Sequence, residues 1–312
     1  MPADPSGLPS LARGSVVTVG TFDGVHLGHR HVLDRLAVRS RECGLPSVLV
    51  TFDPHPLEIV RPDAAPPLLT LPHERLELLA TTPVDYVFVL RFTSAVARLT
   101  AEQFVDEVLL RRLSMRELLI GHDHGFGRGR AGDVTTLQEL GASRDFVVDV
   151  VQAVAGPGGR AVSSSAIRNA IAAGDLATAS GGLGRRYSVS ARVVSGARRG
   201  RLLGYPTINI TPPPRKLLPG HGVYAIRAET PKGAFGGMLN HGPRPTFDDP
   251  HITLEAHLFN ADVDLYGSSV RLEFVSRLRD VRRFDSADAL AAQLAVDERH
   301  ARDALGALTQ TL

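Results

Sequence analysis

Several features that would indicate large partners or special environments are scarce in this sequence of 312 residues. Tryptophan is absent and Cys43 is the only cysteine, so an internal disulfide is excluded, which fits a reducing cytoplasm. No apolar run approaches the ~18 residues of a membrane span, and the start shows no signal-peptide pattern. The formal net charge of +2 is too small to indicate nucleic-acid or membrane partners. We therefore expect a cytoplasmic protein that lacks both kinds of partner.

The composition, 43% hydrophobic and 22% charged, is typical of a globular protein, and the length favours two domains. Short apolar runs alternate with helical patterns in the first half, and Thr100 is a predicted helix N-cap. This alternation predicts an α/β domain with a parallel sheet, whose ligands bind at the carboxyl ends of the strands. The predicted strands are 15–20, 46–52, 85–92, 116–121 and 144–151.

The pattern changes at the glycine-rich segment near residue 183. Six short β runs separated by Gly, Pro, Asn and Asp follow, and a helical pattern over 285–305 ends the chain. Such a series predicts a small closed antiparallel β-barrel with a C-terminal helix. We therefore predict two domains, 1–184 and 185–312.

Two histidines, His26 and His29, bracket Leu27 and Gly28 where the first strand gives way to a helix. Three interpretations remain open: a metal site, although no zinc-site spacing occurs, helix-capping histidines, or an anion site. An anion site would use the free N–H groups of the helix start, with both imidazoles on one face of its first turn. Gly28 would then let phosphates approach the backbone closely.

Two further segments allow an anion to bind. Ser163 to Ser165 are natural N-caps, and Arg168 lies within reach of a polyphosphate, although an ordinary cap with a solvated arginine fits equally well. The segment "GARRGRLLGYPTINI" (196–210) has glycines that permit a tight wrap around an anion. Thr207 and Asn209 in this segment would share one cation, unless the segment is only a mobile turn.

The motifs resemble a known family. "GTFDGVHLGH" (20–29) resembles the H-x-G-H signature of nucleotidyltransferases, and with "TFDPHP" (51–56) it resembles the adenylyltransferase half of bacterial bifunctional riboflavin kinase/FAD synthetases. "GHDHGFGRGRAGD" (121–133) and "VSSSAIRNAI" (162–171) resemble two more motifs of that half. The segment 196–210 resembles the flavokinase signature, and the likeness continues to residue 284, so that it covers nearly the whole chain.

The resemblance implies a Rossmann-like adenylyltransferase domain followed by a six-stranded riboflavin kinase barrel. Riboflavin, FMN, FAD and ATP are then the ligands, and each step uses Mg²⁺. His26, His29 and Glu255 are the implied catalytic residues. Asp53, His55 and Asp123 are implied for flavin, and Thr207 and Asn209 for magnesium. The residues implied for ATP and phosphates are Gly20, Phe22, Asp23, Gly28, Ser164, Arg168, Gly196, Gly200 and Arg201.

Glu255 is implied as the base of the kinase, and its alternation with Leu254 and Ala256 is compatible with an inward-facing carboxylate. An exposed glutamate in an ion pair fits the spacing as well. The sequence leaves the oligomeric state open. Departures from the family's motifs occur at His124, Ser165, Ile208, His241 and Val281.

Two rival functions remain. One is a nucleotidyltransferase for another acceptor, with a barrel that only binds. Thr207, Asn209 and Glu255 argue against that rival, because a binding module does not need this set. The other rival is a flavin-binding regulatory protein without catalysis, which the presence of His26, His29 and Glu255 argues against.

Overall fold

The computed structural model describes residues 11–121, 125, 127, 132–156, 159, 161–195, 203–244 and 249–309. The chain groups into two compact units, Met1–Ser164 and Ser165–Leu312. This division precedes the predicted boundary at 184/185, which stays a prediction. Two helices between these positions belong to the second unit, where Gly220 N donates a hydrogen bond of 3.2 Å to Ile171 O.

Five parallel strands form the sheet of the first unit, in the spatial order β3-β2-β1-β4-β5. All five predicted strands are confirmed, within one to three residues at their ends. Their bounds are β1 (Ser15–Val19), β2 (Ser47–Asp53), β3 (Tyr86–Arg91), β4 (Met115–Gly121) and β5 (Val147–Val151).

Six described α-helices connect or flank these strands, together with a short 3-10 helix (Pro62–Ala64). The first ends at Gly44, whose left-handed conformation (φ 64°) suits glycine and lets its N–H bond to Ser40 and Arg41 carbonyls. Thr100 is a helix N-cap, as predicted: its Oγ1 accepts a hydrogen bond of 3.1 Å from Gln103 N. The helices are α1 (Leu27–Cys43), α2 (Pro56–Val60), α3 (Pro72–Leu79), α4 (Ser94–Arg98), α5 (Ala101–Phe104), which continues as a π-helix (Val105–Leu110), and α6 (Val134–Arg144).

Apolar side chains cover both faces of the sheet, so every residue of β1 is buried. Val16 belongs to a cluster with Leu33 and Leu36 of α1. Val17 and Val19 point the other way, into a cluster that contains residues of α5 and the π-helix. Strands with two buried faces read as continuous apolar runs, which is why the sequence predicts them well.

A closed six-stranded antiparallel barrel forms the centre of the second unit, in the order β10-β7-β6-β11-β8-β9, as predicted. The predicted C-terminal helix is confirmed and extends four residues further than predicted. The elements are α7 (Ser164–Ala173), α8 (Leu176–Leu183), β6 (Ser188–Val194), β7 (Ile208–Thr211), β8 (Gly222–Thr230), β9 (Gly233–Arg244), β10 (Asp249–Leu258), β11 (Ser269–Arg279) and α9 (Ala287–Thr309).

Helix α9 packs on the outer surface of the barrel. Ala301 of α9 contacts a cluster that contains Ala225 of β8 and Met238 of β9. Asp297, also on α9, is 1% exposed and accepts hydrogen bonds of 2.9 and 2.7 Å from Nε and Nη2 of Arg279 on β11. Met238 therefore lies on the face of β9 that points outward, toward α9. Residues that share this face on the neighbouring strands can be assigned from their pairing with β9.

Candidate functional site

The loop of residues 20–26 leaves the sheet at the carboxyl end of β1, between β2 and β4. Strand order reverses at this point, because the chain goes from β1 to β2 on one side and reaches β4 on the other. Ligands of open α/β sheets bind in the crevice at such a reversal. The predicted place of the histidine motif is thus confirmed.

His26 is the N-cap of α1. Its Nδ1 accepts a hydrogen bond of 3.2 Å from the backbone N–H of His29. A neutral imidazole that accepts at Nδ1 carries its proton on Nε2, which is then a donor. The capping interpretation is therefore confirmed, and it does not compete with anion binding, because the cap itself sets the tautomer that can donate to an oxyanion.

The rings of the motif pack against one another. The imidazoles of His26 and His29 stack with their centroids 3.6 Å apart, and the Phe22 ring lies 4.7 Å from that of His29. A Cβ on Gly28 would lie 3.2 Å from the His26 ring. The glycine thus makes room for the His26 ring, and the expected close approach of phosphates at Gly28 stays a prediction.

The Asp23 carboxylate holds another loop in place. It is fully buried and accepts hydrogen bonds from the backbone N–H groups of Leu69 (3.0 Å) and Thr70 (2.8 Å). The hydroxyl of Thr70 also donates to Asp23 and accepts from Gly24 N. Asp23 thus fixes the conformation of loop 20–26, and its predicted contact with ATP stays a prediction.

Two other predicted residues lie at this loop. Ser164, the last residue of the first unit, donates a hydrogen bond of 2.9 Å from its Oγ to the Asp23 carbonyl of loop 20–26. A Cβ on Gly20 would lie 2.9 Å from the Phe22 ring, so this position also requires a small residue. Arg168 is four residues further along α7 and belongs to the second unit, so its contact with phosphates stays a prediction.

The residues predicted to bind flavin follow β2. Asp53 is exposed at the end of this strand. His55 caps α2, because its Nδ1 accepts a hydrogen bond of 3.2 Å from Leu57 N. His55 therefore has the same tautomer as His26, with the proton on Nε2. Asp123 lies outside the described residues.

In the barrel, Glu255 of β10 stands directly opposite Asn209 of β7 and Asn240 of β9. Two residues further along β10, His257 pairs with Met238 of β9, and Met238 faces α9 on the outer surface. Since alternate residues of a strand share a face, Glu255 also lies on the outer side. An inward-facing Glu255 is therefore wrong: Leu254 and Ala256 fill the interior, whereas the half-buried carboxylate lies beside two amides.

Thr207 precedes β7 and is two residues before Asn209. Asn209 and Glu255 offer hard oxygen donors from adjacent strands, which is the ligand chemistry that Mg²⁺ prefers. Across the described ranges, no cluster of three or more His, Cys, Asp or Glu could hold a metal ion. The predicted phosphate residues Gly196, Gly200 and Arg201 lie outside the described residues.

Two family models match the chain. Residues 8–166 match the model described as FAD synthetase, and residues 183–305 match the one described as riboflavin kinase. The chain belongs to the bifunctional riboflavin kinase/FMN adenylyltransferase family. The predicted family and the predicted order of its two enzymatic domains are therefore confirmed.

Curated members of this family align with almost the whole chain. The Escherichia coli K12 enzyme is 40% identical over 297 residues, which cover 94% of this chain and 93% of the relative. The Pseudomonas fluorescens enzyme is 38% identical, with 93% of each chain covered, and the Haemophilus influenzae enzyme is 35% identical, with 94% of each covered. All three are named bifunctional riboflavin kinase/FMN adenylyltransferase.

A solved structure has the same fold. The crystal structure of a Streptococcus pneumoniae protein, described as a macrolide-efflux protein, has a TM-score of 0.83 and 31% identity, and it covers 96% of both chains. The likeness concerns architecture. Among the described helices of this chain, none has the length and apolarity needed to cross a membrane.

Two departures from the family's kinase motifs lie at one end of the barrel. His241 is 6% exposed, its Nδ1 donates a hydrogen bond of 2.7 Å to the Pro219 carbonyl, and its ring centroid lies 5.0 Å from that of His221. Burial lowers the pKa of His241. A Cβ on the adjacent Gly242 would lie 3.0 Å from Val281, the second departure. The two departures thus lie in one small region of the barrel.

Sequence reasoning missed Arg75 in the adenylyltransferase unit. This arginine of α3 is 4% exposed, and it donates to the carbonyls of Thr21 (3.0 Å) and Phe52 (2.7 Å). Burial lowers the pKa of Arg75, and the carboxylates of Asp23 and Asp53 oppose this effect. In the sequence it is one more basic residue in a helical pattern, so only the fold reveals its position.

Proposed function

We propose how this member of the family carries out its two reactions: the barrel phosphorylates riboflavin to FMN, and the first unit adenylylates FMN to FAD, with ATP as co-substrate. The observation that carries the proposal is the His26 cap. It orients an imidazole with an Nε2 donor, stacked on His29, at the edge of a parallel sheet where ligands bind. The cytoplasmic location and the lack of nucleic-acid partners stay predictions.

In the adenylylation step, a phosphate oxygen of FMN attacks the α-phosphorus of ATP. The new P–O bond joins FMN to AMP, the bond between the α-phosphorus and the bridging oxygen breaks, and pyrophosphate leaves. His26 and His29 donate hydrogen bonds to the phosphates, and Ser164 binds the leaving pyrophosphate. No covalent enzyme intermediate is needed, so the rate depends on alignment and on stabilisation of the charge that moves to pyrophosphate.

In the kinase step, the 5′-hydroxyl of riboflavin attacks the γ-phosphorus of ATP and ADP leaves. Glu255 accepts the hydroxyl proton as the new P–O bond forms. Its half-buried position, opposite Asn209 and Asn240 in the strand register, supports this role.

We further propose that Mg²⁺ binds in the barrel through Thr207 and Asn209. These neutral oxygens suit a hard cation that takes its remaining ligands from phosphates and water. When bound, the ion neutralises the phosphate charge that would otherwise repel the attacking oxygen. Excess EDTA should stop both reactions, and added Mg²⁺ should restore them.

The test starts with purified protein, riboflavin, ATP and Mg²⁺, and chromatography should show FMN and then FAD. Glu255→Gln should abolish FMN formation and leave conversion of supplied FMN to FAD intact. The matched control is Glu273→Gln, which changes another half-exposed strand carboxylate of the barrel. If the folded wild-type protein makes neither product, the proposal is wrong. If Glu255→Gln still forms FMN at the normal rate, Glu255 is not the base.

A further inference from the structure

Arg75 is a buried cation that the reaction as described above does not use. Placing a guanidinium in a protein interior is costly unless hydrogen bonds and opposite charges compensate it. The partly exposed Arg39 of the same unit pairs with the carboxylate of Glu117 through two hydrogen bonds of 2.8 Å. The hydrogen bonds of Arg75, in contrast, go to two backbone carbonyls.

The two carbonyls belong to the two segments that the adenylylation site requires. Thr21 lies in loop 20–26, next to Phe22, and Phe52 directly precedes Asp53 at the start of the segment 53–56. Nη1 donates to Thr21 O at 3.0 Å and Nη2 donates to Phe52 O at 2.7 Å. One planar, rigid group therefore sets the distance between the nucleotide side and the flavin side of the site.

Other groups reinforce this bridge. Thr51 Oγ1 donates to the same Thr21 carbonyl at 3.1 Å, so β2 also contacts loop 20–26 directly. Asp23 and Asp53, one in each segment, supply negative charge near the guanidinium. Arg75 is thus the residue of α3 that contacts both segments, and its charge is balanced by the residues that flank the two carbonyls.

The spacing between these segments determines how the two substrates meet. In-line attack needs the FMN oxygen within about 3–3.5 Å of the α-phosphorus, and a shift of about 1 Å costs about 100-fold in rate. We propose that Arg75 is a positioning residue for FMN adenylylation: it holds loop 20–26 and the segment 53–56 at the separation that aligns FMN with ATP. This inference rests on the proposed function of the first unit.

The experiment compares Arg75→Met, Arg75→Lys and the control Arg39→Met in the full chain, supplied with FMN, ATP and Mg²⁺. Methionine keeps much of the volume but removes the bridge. Lysine keeps the charge, yet its single ammonium lacks the fork that spans two carbonyls. Arg39→Met removes the arginine that pairs with the 4% exposed Glu117, so it destabilises the same unit away from the site.

We expect kcat for FAD formation to fall about 100-fold in Arg75→Met. FMN and ATP, each titrated alone by calorimetry, should bind with the affinity and the number of sites per chain of wild type. Arg75→Lys should restore thermal stability but not kcat. Arg39→Met should lower the melting temperature and leave kcat per FMN site unchanged. Phosphorylation of riboflavin should proceed normally in all three variants.

The outcomes separate the inference from the function on which it rests. Wild-type protein that makes no FAD refutes the proposed function itself. If wild type is active, normal kcat in Arg75→Met or in Arg75→Lys overturns the positioning role. The positioning role is also overturned if the Arg75 variants have fewer FMN sites but a normal kcat per remaining site, because Arg75 would then contribute only to folding. If Arg75→Met does not fold, the kcat of Arg75→Lys decides.

Discussion

Replacement of His26 should separate its structural role from its chemical one. His26→Ala removes the acceptor of the His29 N–H, and loss of an N-cap costs about 1 kcal/mol. For a unit of this size, Met1–Ser164, that lowers the melting temperature by about 2–4 °C. Alanine also removes the Nε2 donor, and loss of one such transition-state donor costs about 3 kcal/mol, or about 100-fold in rate.

His26→Asn is the matched variant, because asparagine is a good N-cap but has no imidazole. It should melt like wild type and still lose about 100-fold in FAD formation from supplied FMN. Melting is followed by circular dichroism, and FAD by chromatography in single-turnover reactions, with riboflavin phosphorylation on the same chain as the control. The reasoning is refuted if His26→Asn retains the wild-type rate, or if it melts as early as His26→Ala.

Two predictions concern the kinase unit. Asp297→Ala should lower the free energy of unfolding by about 3 kcal/mol in urea titrations, because Arg279 and Gln293 lose their acceptor; an unchanged urea midpoint would contradict this. Burial lowers the pKa of His241, so the folded state disfavours protonation of this imidazole. The contribution of neutral His241 to stability is therefore complete above about pH 6.5, the pKa in the unfolded chain, and is lost as the pH falls toward the folded pKa. The urea midpoint of wild type should therefore fall more between pH 7 and pH 5 than that of His241→Ile, and equal slopes would count against this assignment.

The sequence suffices for the features that neighbouring residues determine. The central strands β1, β2 and β4 are predictable because most of their residues are buried, which leaves predominantly apolar runs such as 15–19. The histidine motif is predictable because its four residues are contiguous and begin a helix. The tautomer of His26 follows from the cap, and the sequence offered that cap only as one of three interpretations.

Features that depend on distant partners are not predictable in this way. Arg75 lies 54 residues from Thr21, and its helical pattern resembles that of any solvated arginine. Thr70 lies 47 residues from Asp23 in sequence, and only the fold brings the two together. Alternation along β10 separates Glu255 from Leu254, but it does not indicate which of the two faces the inside of a closed barrel.

The two sheets of this protein differ in whether they have edges. In the described part of the chain, every barrel strand has two neighbours, whereas β3 and β5 each have one. The outward side chains Val89 of β3 and Val147 of β5 are 40% and 57% exposed. An edge strand with exposed valine can pair with the same strand of another copy, whereas a closed barrel offers no such template. Aggregation of concentrated protein should therefore begin at β3 or β5, and a lysine at position 147 should slow it.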